Sequence, residues 1–124
     1  MIITGREINQ HIADNYPELI DKIYPIFTTV VDDLSVVYSI TTVSGGYVAQ
    51  DILQLRIFDS DYDVATEWKR KLINLFSTEK ENQAIVLPTI SFTGALSGGG
   101  ENFRDDLQIW EITAIFVLKT KERV

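Results

Sequence analysis

"LQLRIFDSDYDVATEWKRKLINLF", from Leu53 to Phe76, changes its period halfway along. Up to Phe58, Leu53, Leu55 and Ile57 alternate with Gln54 and Arg56, the spacing of two that a half-buried strand needs. From Asp59 to Ser77 the spacing becomes helical. Val64, Ala65, Trp68, Leu72, Leu75 and Phe76 fall on one stripe, and Glu67, Lys69, Arg70 and Lys71 mostly fall off it. Ser60 and Asp63 have the spacing of a capping box at the helix start. A strand that runs into an amphipathic helix sets the frame for the rest of the chain.

On the N-terminal side, "SVVYSITTVS" (Ser35–Ser44) is β-branched and turns at Gly45-Gly46 into Tyr47–Phe58, which reads as a hairpin. Before it, Lys22–Val31 is apolar but contains Pro25, which lacks a ladder donor. It reads as an edge strand or an extended arm, ending in a turn at Asp32-Asp33. Thr4 to about Asn15 reads as a short helix. Thr4 and Glu7 form a capping box, Ile3 and Ile8 a hydrophobic staple, and Pro17 stops the helix.

On the C-terminal side, a polar loop "TEKENQ" leads to two more strands, Ala84–Gly94 and Leu107–Lys119. In the last strand Trp110, Ile112, Ala114, Phe116 and Leu118 share one face, and Ile109, Glu111, Thr113, Ile115 and Val117 share the other. The order is α-β-β-β-α-β-β. It predicts one α+β domain over residues 1–124, with an antiparallel or mixed sheet of four to five strands and two helices on one face. The last two strands form a long hairpin. Two helices cover only one face of such a sheet, so Ile109, Ile115 and Val117 are expected to be open to a partner.

Between these strands lies "ALSGGGENFRDD". A phosphate loop needs a helix after its glycines, and a Lys beside them. Gly98, Gly99 and Gly100 are followed by Glu101 and then a strand. They read as the mobile tip of the hairpin. With Glu101 and Phe103 they are the other candidate contact residues for an oligomer or partner.

No catalytic or metal-ligating set emerges. The chain has no cysteine, which excludes disulfides and thiolate zinc sites. His11 is the single histidine, and there is no Gly-x-Ser-x-Gly elbow for a Ser-His-Asp triad. Asp59, Asp61 and Asp63 imitate a calcium loop, but Val64 and Arg70 stand where it needs Gly and Glu. These acids suit a helix N-terminus instead. No cofactor is expected.

The 124 residues are 45% hydrophobic and 23% charged, with formal net charge −7. That acidic balance argues against a grip on nucleic acid, which needs a basic surface. Lys69-Arg70-Lys71 is the only cationic cluster and reads as a solvated helix face. No apolar run is long enough to span a bilayer, and "MIITGREINQ" carries no signal-peptide core. A soluble cytoplasmic protein is expected.

Several strings resemble the tail-completion, or tail-terminator, proteins of long-tailed bacteriophages and prophages. "DKIYPIF" is similar to that family's first strand and "LSVVYSIT" to its second. "LQLRIFDSDYDVATEWKRKLINLF" carries the strongest likeness: a strand, an acidic turn, then a helix opening with Tyr62-x-x-Ala65. "DDLQIWEITAIFVL" resembles the closing strand. The resemblance implies a non-enzymatic subunit of the virion tail, assembled in the host cytoplasm. It would form a ring, usually a hexamer, at the head-proximal end of the tail tube. The tube protein and head connector proteins would be its partners, with no membrane and no sequence-specific nucleic acid among them. Two alternatives stand beside it: another neck component of the same apparatus, and a small α+β ligand-binding module or enzyme.

Overall fold

A computed structural model describes residues 4–25, 34–44, 48–78 and 84–122. The chain is α+β. Helix α1 (Gly5–Asn15), a 3-10 turn (Pro17–Leu19) and strands β1 (Ile23–Pro25), β2 (Ser35–Ser44) and β3 (Val48–Asp59) come first. Helix α2 (Tyr62–Phe76) and strands β4 (Ile85–Val86), β5 (Ile90–Arg104) and β6 (Ile109–Glu122) follow. The sheet order is β1-β2-β3-β6-β5-β4, with β1 parallel to β2 and the other neighbours antiparallel.

The sheet has six strands, not four to five. The extra strand arises because Ala84–Gly94 is not continuous. Leu87–Thr89 interrupts it around Pro88, which has no N–H for a ladder. β1 ends at Pro25 within the described residues. Residues 26–33, the Gly45-Gly46 turn and the Ile3 half of the staple lie outside them.

The helix ends follow local chemistry. In α1 the Thr4 hydroxyl accepts from the Glu7 N–H at 3.3 Å, and the Glu7 carboxylate accepts from the Thr4 N–H at 3.3 Å, so the capping box is present. For α2 the cap is Asp61, not Ser60. Its carboxylate accepts from the N–H groups of Asp63 and Val64, at 2.9 and 3.3 Å. An acid does better here because it meets both the free N–H groups and the positive end of the helix dipole. Val64 falls off the buried stripe and is exposed; Ala65, Trp68, Leu72 and Phe76 are buried as expected.

Both helices pack on one face of the sheet. Ile8 and Ile12 of α1 and Leu72 and Phe76 of α2 meet Leu53, Leu55, Ile112, Phe116 and Leu118, all fully buried. At about 1.5–3 kcal/mol for each large apolar side chain removed from water, this layer dominates the stability of the fold. Phe76 stacks on Phe92 at a centroid distance of 6.1 Å and packs tilted against Phe116 at 5.6 Å.

Gly94 is required by this packing. A Cβ on Gly94 would lie 2.0 Å from the Phe76 carbonyl oxygen, because the end of α2 crosses β5 there. The chain then leaves the helix against the strand. The Thr78 N–H donates to the Gly94 carbonyl at 2.9 Å, and the Gly94 N–H donates to the Thr78 hydroxyl at 3.1 Å.

Candidate interface on the β5–β6 hairpin

The glycine triplet is not a tip. β5 runs through it, pairing Gly98 with Ile115, Gly99 with Ala114 and Gly100 with Thr113. The turn lies at Asp105–Gln108, where the Leu107 N–H donates to the Arg104 carbonyl at 3.2 Å and Gln108 takes a positive φ of 53°. Nor does the hairpin project as a free arm, since β3 pairs with β6 as far as Asp59 opposite Trp110. A β-bulge between Leu96 and Gly98 shifts the register just before the glycines.

That register separates the candidate contact residues. Gly98, Gly100, Ile115 and Val117 share the sheet face away from the helices. Cβ atoms added at Gly98 and Gly100 would meet nothing within 4 Å. Ile115 and Val117 are half-buried there. Ile109 belongs to neither group, because only 1% of it is exposed. It is enclosed with Val37, Phe58 and Tyr24 in a small second cluster, so it is not available to a partner as expected from sequence. Val37 and Phe58 are distant in sequence, and nothing local to Ile109 signals that they cover it.

Glu101 and Phe103 lie on the helix side. The Tyr62 hydroxyl, in the first turn of α2, donates to the Glu101 carboxylate, with both oxygens at 2.9 Å. That carboxylate raises the Tyr62 pKa above the ordinary phenol value by favouring the protonated form. The Tyr62 ring sits edge-on to Trp110 at 4.8 Å, and Trp110 packs on Phe103 at 5.0 Å. Behind the strand, Glu111 lies 3.7 Å from Arg56 and 3.5 Å from Arg104. Half-buried ion pairs of this kind fix register more than they add stability.

Two features of the hairpin carry no signal in the sequence. One is the edge of β5. β4 pairs only with Ser91 and Phe92, and Thr78 covers Gly94, so Leu96–Arg104 has no outer strand partner among the described residues. The other is Lys69, whose ammonium would lie 3.4 Å from a Cβ on Gly99 and which makes no ion pair among the described residues. The run of β-branched and aromatic residues after Pro88 hints at a long strand, but its edge exposure depends on where β4 stops.

Most exposed large apolar side chains lie on the first turn of α2, on β4, on β5 or in the β5–β6 turn. Six of eight among the described residues are Tyr62, Val64, Val86, Leu96, Phe103 and Leu107. Away from the β5 edge, a cleft of about 460 Å³ lies between α1 and the β4–β5 turn, with Arg6, Glu7, His11 and Asp14 on its helix wall. Thr89 closes one end by donating to Glu7 at 2.8 Å. No group of three His, Cys, Asp or Glu able to hold a metal occurs among the described residues. Among the described residues no helix is long and apolar enough to cross a membrane. The chain matches no protein-family profile and no curated protein.

Proposed function

We propose that this protein is a structural subunit of a long phage or prophage tail. Copies of it form a ring, six in number, at the head-proximal end of the tail tube, ending tube growth and joining tail to head. The observation that carries the reading is one-sided packing. Both helices occupy one sheet face, leaving a half-buried apolar row at Ile115 and Val117 on the other and an unpaired edge at Leu96–Arg104. A ring needs two different patches on each subunit that meet head to tail, and these are two such patches. The likeness of the Leu53–Phe76 and closing-strand strings to tail-completion proteins supports the same reading. Its partners are then the tail-tube and head connector proteins, and its place is the virion tail. An assembly of chains that each carry −7 repels DNA phosphates, which suits a passage for a genome. Disrupting the gene in its phage or prophage tests the proposal: tails of irregular, excess length that fail to join heads are expected. Normal tails joined to heads would rule it out.

The cleft beside α1 favours a second reading, a small ligand-binding module, because charged side chains converge on a concave site there. A ligand held by that cleft would raise the melting temperature of the wild type, and Arg6→Ala would abolish the rise.

A further inference from the structure

We infer that the free edge of β5 pairs, antiparallel, with β5 of a second copy of this chain, across a two-fold axis at Gly100. An unpaired edge presents a row of N–H and C=O groups to any extended strand. Native edges are usually blunted by proline or lysine, and Leu96–Arg104 contains neither. Its three glycines leave the backbone uncovered.

The phase of the strand selects the register. Gly94 directs its N–H and C=O outward, to Thr78. The bulge between Leu96 and Gly98 then shifts the alternation, so that Gly99, Glu101 and Phe103 direct theirs outward while Gly98, Gly100 and Asn102 bond to β6. An antiparallel partner must bring outward groups opposite outward groups, so the axis falls on a residue and not between two. Gly100 is the midpoint of the free stretch Leu96–Arg104, and an axis there uses the whole edge without overhang.

Charge favours the same axis. Glu101 comes to lie opposite Gly99 of the partner subunit, directly beside Lys69 of the partner subunit. Lys69 makes no ion pair within its own chain among the described residues. The two-fold gives two such Glu–Lys pairs. It also sets Phe103 opposite Ser97 of the partner subunit, where a small side chain leaves room for the ring. Opposed residues in a sheet stand about 4.5–5.5 Å apart, close enough for both contacts.

The inference rests on the reading of this hairpin as a subunit contact, not on the tail. Six-fold closure needs a head-to-tail contact, which a two-fold pair does not supply. The pair is the form of free subunits, and it closes an edge otherwise open to run-on aggregation.

A cysteine scan tests it, since the chain has no cysteine of its own. Gly100→Cys and Gly98→Cys both place a side chain in open space. At the axis, opposed Cα atoms are about 4.5 Å apart, within disulfide reach. Two copies of position 98 would be about 13 Å apart, four residues along the strand. Mild oxidation should link Gly100→Cys into a covalent dimer on a non-reducing gel and leave Gly98→Cys monomeric. Adding Lys69→Glu or Glu101→Lys to Gly100→Cys should cut linkage at least five-fold, and adding both should restore it. Absence of linkage in a folded Gly100→Cys protein would overturn the pairing, as would equal linkage at both positions or failure of the double reversal to restore it. Tube capping by a variant that never links would remove this pairing and leave the tail reading intact. Linkage without any capping would do the reverse.

Discussion

The Tyr62 hydroxyl donates to the Glu101 carboxylate with both oxygens at 2.9 Å, and this joins the first turn of α2 to the strand that carries the glycine triplet. Glu101 is thereby held on the helix side of the sheet, beside the open edge. Tyr62→Phe removes the hydroxyl and keeps the ring against Trp110. We expect only a small loss in urea denaturation, because solvent competes for an exposed hydrogen bond. Amide exchange should speed up at residues 99–103. Unchanged exchange there would mean that the bond does not order the edge.

The glycines of β5 should respond in opposite directions. Gly94→Ala drives a Cβ against the Phe76 carbonyl and forces α2 off the strand. It should cost about 1–3 kcal/mol or more, as overpacking does. Gly98→Ala and Gly100→Ala enter open space in a strand interior, where glycine is the poorer residue. Each should be neutral or stabilising by up to about 1 kcal/mol. Thermal melts of the three variants check this. A destabilised Gly100→Ala would show that the triplet is not strand.

The two tryptophans should differ. Trp68 is buried in the core beside Tyr16, with ring centroids 5.5 Å apart. Trp68→Ala should cost about 3–5 kcal/mol by urea denaturation. Trp110 is only half-buried, between Tyr62 and Phe103. Trp110→Ala should cost clearly less, and equal losses would contradict the burial described for it.

Stability should fall in mild acid because of His11. Its ring lies edge-on to Phe76 and Phe92, at 5.6 and 5.9 Å. Burial lowers its pKa from the ordinary 6.5, with the Asp14 charge and the Leu75 backbone pulling the other way. Well above pH 6.5 the ring is neutral in both folded and unfolded chains, and its contribution is complete. Below that, the unfolded chain takes up the proton first, so stability declines until the folded ring is protonated too. Urea midpoints at pH 7.5 and 5.5 should show this fall, and His11→Gln should reduce it.

Asp51 is fully buried, and neither carboxylate oxygen has a hydrogen-bond partner among the described residues. An unsatisfied buried polar group costs about 1–3 kcal/mol, so Asp51→Val should raise the urea midpoint. A lowered midpoint would mean that the carboxylate has a stabilising role.

Much of this fold is legible in the chain, because its main signals are local. The change of period at Asp59, the Thr4–Glu7 box and the alternation along β6 each depend on neighbours in sequence. What is not legible depends on register. Three glycines and an acid signal a turn by propensity, yet fourteen residues of β6 keep β5 extended through them. The burial of Ile109 depends on Val37 and Phe58, from two other strands. The open edge depends on β4 being two residues long. The candidate contact residues therefore lie on one hairpin but on different faces of it.

The most direct test of the ring is the length of tail tubes assembled in vitro from the tube protein of the same phage or prophage, measured by electron microscopy with and without this protein. Tubes grown with it are expected to stop, their ends carrying a ring of six subunits. Identical length distributions, with bare ends in both, would contradict it.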